Sequence, residues 1–161
     1  MLYRKWIALP LAIVCATFIT ALAPPSIRTG FYAAMMGDDT LKINACLKEL
    51  HSSPLPEKEA FEGTLYMKKA GLVKGISTKL DMFKKGHVIL EEEIKKQSSN
   101  VEYRFCRLMI QENAPRILGY RDEIDHDAEI LKKQFNQLNT DAKAALKSYS
   151  KKSKALEGAT F

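Results

Sequence analysis

The chain is poor in the side chains from which most active sites and metal centres are assembled. It has three cysteines and three histidines in 161 residues. No two cysteines form a C-x-x-C pair, and no histidines stand at the spacing of a metalloprotease or a zinc ribbon. The G-x-S-x-G serine motif and the glycine-rich phosphate loop are missing as well. These absences predict a protein that is not an enzyme and that carries no cofactor and no metal.

Concentrated positive charge is also missing. The formal net charge is +6, from 25 basic and 19 acidic residues, but the lysines are interleaved with Glu and Asp along the chain. A nucleic-acid-binding protein usually gathers its basic residues on one face. The sequence therefore predicts no nucleic-acid partner.

The only long apolar run lies at the N-terminus. Arg4 and Lys5 precede Ile7–Ala23, which is almost wholly apolar, and this order is typical of a secretory signal. Residues 1–23 are therefore predicted to be a signal peptide. Because Pro24 and Pro25 hinder cleavage, the alternative is a retained membrane anchor over residues 6–23, which is just long enough to span a bilayer. Either alternative places the protein in the periplasm or cell envelope.

Two cysteines remain in the body of the protein, Cys46 and Cys106. Their spacing does not define a disulfide framework. They could be buried free thiols, since free cysteine behaves as a small apolar residue. Export to an oxidising compartment would also allow a bridge between them.

The rest of the chain predicts helices only, because no segment alternates between apolar and polar residues with a period of two. Residues 24–37, with two prolines and two glycines, are interpreted as a linker that turns helical near its end. A helical domain follows over residues 38–161. Its six predicted helices run from the Asp38–Asp39–Thr40 cap cluster to about His51, then over about 57–72, 78–97, 101–113, 121–137 and 141–157. Their short connections favour antiparallel neighbours.

Two of these helices have informative patterns. The third places its apolar face at helical spacing, with Leu80, Phe83, His87, Leu90 and Ile94. The fourth, 101–113, is apolar around most of its circumference, which is typical of a helix at the centre of a domain.

The stretch from Phe83 to Gln111 resembles a degenerate tetratricopeptide unit. Phe83, Gly86 and Leu90 fall at the large, small and large positions of the second helix of such a unit, and VEYRF looks like the first helix of the next. The proline usual at the joint is absent, and the match covers one and a half units. The resemblance implies stacked helix pairs.

A second resemblance covers roughly residues 58–155. It is carried by Glu102–Phe105, Arg107–Leu108, Ile110–Pro115 and Leu118–Tyr120. This pattern is similar to that of a group of short bacterial envelope proteins with signal peptides. The resemblance implies an exported helical protein and supplies no activity.

The candidate site is predicted on and just after the fourth helix, where Arg104 and Arg107 lie one turn apart. A buried guanidinium needs a partner, so the arginines could be paired internally with Glu102, Glu112 or acids on the neighbouring helices. They could instead line a groove that binds a carboxylate of a protein or peptide partner. The partner-binding residues predicted on this basis are Tyr103, Arg104, Arg107, Glu112, Asn113 and Tyr120.

These observations favour a non-catalytic protein-interaction or accessory module of the cell envelope. The alternative is a small-ligand-binding protein or enzyme that uses the Arg and acid cluster around the fourth and fifth predicted helices. Asp122, His126 and Glu129 share one face of the fifth helix and could bind a cation weakly. Acids at the start of a helix are also favoured by the helix dipole alone.

Overall fold

The computed structural model describes residues 26–161, so the predicted export segment lies outside the described residues. Within this range the protein is all-helical, as predicted, and contains no strand. No helix in the same range is both long enough and apolar enough to cross a membrane. The α-helices are α1 Ile27–Met36, α2 Thr40–His51, α3 Lys58–Leu72, α4 Ile76–Lys96, α5 Val101–Asn113, α6 Ile124–Gln134 and α7 Thr140–Ser150, with 3-10 turns at Arg116–Leu118 and Phe135–Gln137.

The interpretation of residues 24–37 as a linker that turns helical only near its end is wrong for Ile27–Met36, which form a helix throughout. Ile27–Met36 forms α1, and the ring of Phe31 stacks on the ring of Phe61 with their centroids 3.9 Å apart. Phe31 is fully buried. The two glycines suggested a linker, but the helix contains one of them and ends at the other. Gly30 lies inside α1, and Gly37 is its C-cap. The helical domain therefore includes α1 in addition to residues 38–161.

Side-chain caps begin four of the helices. Asp39 and Asn100, each predicted among neighbouring polar residues, accept backbone N–H groups at the start of α2 and α5. Ser26 and Asn139 do the same for α1 and α7. Neither Ser77 nor Thr78 caps α4, because that helix begins at Ile76 after Gly75.

The last predicted helix ends earlier than expected. α7 stops at Ser150 rather than near residue 157. Beyond it the Ser153 hydroxyl accepts a hydrogen bond from the Leu156 N–H, an arrangement that competes with the helical pattern. Leu156 still packs into the core, as its sequence position predicts.

α5 is the central helix, as predicted. Ten of its thirteen residues are buried. It packs against α3, α4 and α6, while α3 and α4 form the most extensive helix pair. Around α5 the chain is therefore arranged as successive helix hairpins.

Cys46 and Cys106 are free, buried thiols, so the structure contains no bridge between them. Burial raises the pKa of the Cys46 thiol to about 11. Both cysteines therefore behave as apolar packing residues at neutral pH.

α3 and α4 approach most closely where Gly63 faces Gly86. A Cβ atom added at Gly86 would lie 2.3 Å from the Gly63 carbonyl oxygen and 2.9 Å from the Met67 backbone nitrogen. A Cβ added at Gly63 would lie 2.8 Å from the Gly86 carbonyl oxygen. Only glycine permits this backbone contact, so the pair determines how close the two helices lie.

We expect Gly86→Ala to destabilise the protein, because the helices would have to separate to accept the methyl group. Overpacking of this kind costs about 1–3 kcal/mol. The measurement is the free energy of unfolding from urea denaturation. Gly71→Ala is the matched control, since a Cβ at Gly71 has no atom within 4 Å and should raise helix stability slightly. Equal effects of the two substitutions would contradict the close crossing.

Candidate binding groove

An apolar groove of about 600 Å³ opens at one end of the helix bundle. Its walls come from the end of α3, the first half of α4, and the end of α5 with the following 3-10 turn. Met35 of α1 and Tyr149 of α7 complete it. The apolar lining includes Met67, Leu72, Leu80, Phe83, Met109, Ile110, Pro115 and Leu118. A cavity of this size and composition is typical of a binding site.

The first turns of α4 form one lip of the groove. Residues 76–81 are all exposed, and Leu80, predicted to be a core residue, is 38% exposed. The prediction fails at this position because α4 is the longest helix and its first turns lie beyond the packed core. Leu80 is therefore on the correct face of the helix but borders the groove.

Large apolar side chains are concentrated at these lips. Residues 26–161 contain five exposed large apolar side chains, and three of them line the groove. Ile76 is 87% exposed on the α4 lip, and Ile117 is 94% exposed on the opposite lip, with Leu80 as the third. An exposed apolar patch of this kind is a common mark of an interaction site.

The polar side chains of the groove are few. Asn113 donates to the Met109 carbonyl oxygen at 2.8 Å and to the Tyr149 hydroxyl at 3.2 Å. Lys68, Lys79 and Lys152 are the charged residues of the lining, and the lining includes no carboxylate. The groove is therefore apolar with a positively charged border.

A smaller polar cavity of about 410 Å³ adjoins the groove and shares Asn113, Tyr149 and Lys152 with it. Glu112, Arg121, Asp125 and Lys154 also line it. Arg121 donates to the Glu112 and Ala114 carbonyl oxygens and so caps the end of α5. Glu112 accepts a hydrogen bond from the Ala155 N–H.

The Arg107 guanidinium lies outside both cavities, in a buried ionic network. Its Nε and Nη2 donate to the two oxygens of Asp127 at 2.7 and 2.8 Å. Nη1 and Nη2 also reach Glu91 at 3.1 Å and Glu123 at 3.3 Å. Burial disfavours the charged guanidinium, but these acids outweigh that effect, and the pKa of Arg107 lies above its ordinary value. Of the two alternatives, Arg107 is therefore paired internally, with acids on the neighbouring helices.

Glu102 belongs to a different network from the arginines with which it was expected to pair. It accepts hydrogen bonds from Arg28 Nε, the Tyr32 hydroxyl and Asn139 Nδ2. Burial raises the pKa of Glu102, and the hydrogen bond from Tyr32 and the charge of Arg28 oppose that rise. This network joins α1 and α7 to α5, and the missed α1 helix concealed it from sequence reasoning.

The six residues predicted to bind a partner do not form one surface. Tyr103 is fully buried, and Arg107 and Tyr120 are buried as well, with the Tyr120 hydroxyl donating to Glu91. Arg104 donates to the Ser98 carbonyl oxygen and lies 3.8 Å from Asp127. The prediction is therefore corrected: Asn113 alone lines the groove, and Glu112 joins it in the polar cavity. Neither arginine lines either cavity, because both are bonded inside the protein.

Sequence reasoning missed the groove because its lips resemble ordinary helix faces. Leu80 belongs to the predicted apolar face of its helix, and Ile117 and Leu118 lie in a short segment after Pro115. The sequence feature that could have indicated the groove is the apolar residue Ile117, which follows Pro115 in a segment that cannot continue α5. The suggested cation site is not formed: residues 26–161 contain no group of three His, Cys, Asp or Glu residues able to hold a metal.

No protein-family model, curated protein or solved structure matches this chain. The resemblances to tetratricopeptide units and to short envelope proteins therefore remain predictions. Function is inferred from the groove and from the networks that position it.

The buried Arg107–Asp127 pair supports a prediction about stability. Arg107→Met removes both hydrogen bonds to the buried Asp127 carboxylate, which should cost about 3–5 kcal/mol. Asp127→Leu should cost less, because Arg107 keeps Glu91 and Glu123 as partners. The double substitution should cost less than the sum of the two, because it leaves no unpaired charge.

Urea denaturation of the wild type, the two single variants and the double variant measures this coupling. The exposed Lys133–Glu129 pair on α6, 3.2 Å apart, is the control and should give a coupling below about 1 kcal/mol. Additive costs at Arg107 and Asp127 would show that the network contributes no coupling.

Proposed function

We propose that this protein is a non-catalytic interaction module of the cell envelope that binds a segment of another protein in the apolar groove. The observation that carries the proposal is the position of Ile76, Leu80 and Ile117, three large apolar side chains exposed along the lips of one groove. Burying side chains of this kind contributes about 1.5–3 kcal/mol each, which favours covering them with a partner.

The lips favour a protein segment over a small ligand. A small molecule enclosed by the groove would leave Ile117 and Ile76 in water, because they are 94% and 87% exposed on its borders. A chain segment laid along the groove would cover both lips and fill the volume between them. The three methionines of the lining, Met35, Met67 and Met109, suit this role since flexible thioether side chains adapt to a partner's shape.

The alternative function, a ligand site or enzyme built on Arg104 and Arg107, has little geometric support. Arg107 is bonded to Asp127, Glu91 and Glu123, and no described cavity reaches it. Guanidinium groups that are satisfied internally have few donors left for a substrate.

Location in the envelope is part of the proposal and rests on the apolar run in residues 7–23. The resemblance to tetratricopeptide units implies stacked helix pairs, and Gly86, at the small position of that pattern, lies against Gly63 of α3. Modules of stacked helix pairs commonly bind peptides.

Affinity capture from an envelope extract tests the proposal with matched variants of the whole protein. Ile117→Asp places a carboxylate on the lip of the groove, and we expect it to weaken capture more than tenfold, because an apolar contact worth roughly 2 kcal/mol is lost. Leu41→Asp is the control, since Leu41 is 76% exposed and does not line the groove.

The supporting result is one stoichiometric protein that the wild type and Leu41→Asp retain and Ile117→Asp loses. Cross-links between the captured protein and the groove would identify the bound segment. A partner retained equally by all three baits would place the interaction elsewhere and overturn the assignment of the groove.

A further inference from the structure

The charged residues that line the groove itself are of one sign. Its charged lining residues are Lys68, Lys79 and Lys152, with no carboxylate among them. Asp38 neutralises Lys68 through a 2.7 Å ion pair. Lys79 and Lys152 form no ion pair with any residue of the described range, and the Lys152 ammonium lies 5.4 Å from the centre of the Tyr149 ring. Two cations therefore remain available beside an apolar surface.

The groove offers few partners for an extended backbone. Each residue of a bound strand would bring one N–H and one C=O group that need hydrogen bonds. The described range contains no strand whose edge could pair with them, and the Asn113 amide already bonds Met109 and Tyr149. A helix satisfies its own backbone groups and presents side chains alone, so an apolar groove favours a helical occupant.

We propose that the segment bound in the groove is an amphipathic helix whose apolar stripe is bordered by Asp or Glu residues. This inference rests on the proposed function and specifies the chemistry of its partner. Residues at i, i+3 or i+4, and i+7 of the helix fill the groove between the α4 lip and the Ile117 lip. Its acidic residues face Lys79 on one side and Lys152 on the other.

The adjoining polar cavity adds charged residues of both signs on the Lys152 side. It adds Lys154 and Arg121, while Glu112 and Asp125 lie on its lining as well. Arg121 is occupied by the carbonyl groups at the end of α5, so Lys152 and Lys154 are the cations that face a bound helix there. The proposed preference for acidic residues therefore rests on Lys79 and Lys152.

An acyl chain with an anionic head group shares part of this chemistry. A single chain inside the groove would leave the two exposed lips uncovered, whereas a helix lying across them covers both. The geometry points to the helix, and binding of a fatty acid is treated as an outcome of the test.

A display library of helical 18-residue peptides tests the proposal on the full protein. Every peptide carries apolar residues at i, i+3, i+4 and i+7, and the positions bordering this stripe vary among Glu, Gln and Lys. We expect wild-type protein to enrich Glu over Lys at those positions by about 3–10-fold, as two partly exposed ion pairs predict. Enrichment should fall as salt is added, because exposed charges are screened.

The double variant Lys79→Glu/Lys152→Glu provides the matched reversal. Both side chains are exposed, so their substitution leaves the core intact, and the variant should enrich Lys over Glu. Peptides selected on the wild type should lose binding to Ile117→Asp and keep it with Leu41→Asp.

Three other outcomes would overturn the inference, and they are distinguishable. If the library yields helical peptides with no preference for Glu over Lys, the acidic border of the partner is contradicted, while the proposed function stands. A library with no binder, together with saturable binding of a fluorescent fatty acid that Ile117→Asp abolishes, would make the occupant a lipid. A library with no binder and no fatty-acid binding would count against the groove as a binding site and so against the proposed function itself.

Discussion

The structure depends on the burial of α5 together with three polar side chains that it carries inward. Glu102, Arg107 and Gln111 are buried on a helix that lies at the centre of the domain. A charge can be buried at tolerable cost only where partners surround it. Glu102 is therefore bonded to groups from α1 and α7, and Arg107 to acids on α4 and α6 or just before α6. These bonds determine which helices stand around α5 and in what order.

The groove is a consequence of the same arrangement. α5 ends at Asn113 because Pro115 follows, and the chain leaves it through the 3-10 turn that carries Ile117. α4 is locked against α3 by the Gly63–Gly86 contact, and its first turns lie beyond the region that α5 covers. Apolar side chains on both segments consequently face an open space.

Much of the fold followed from local patterns. α5 was predicted with the same first and last residues, and α3 and α4 to within one or two residues, because strong periodicity and clear breaks bound them. α1 was missed because its glycines and the preceding prolines are typical of a linker. The stacking of Phe31 on Phe61 stabilises the helix and offsets the low helix propensity of glycine. Three of the residues predicted to bind a partner, Tyr103, Arg107 and Tyr120, are buried in the structure. A periodicity identifies an apolar face without indicating whether a neighbour covers it.

The sequence by itself determined the helical class, the central position of α5, the cap residues Asp39 and Asn100 and the scarcity of catalytic side chains. These properties depend on spacing and composition within one segment, and local chemistry is sufficient to establish them. The tertiary structure alone decided that Arg107 is bonded to Asp127, that Leu80 and Ile117 border one groove, and that Lys79 and Lys152 flank it. These residues are separated by tens of positions along the chain, and only the packing of α4, α6 and α7 around α5 brings them together.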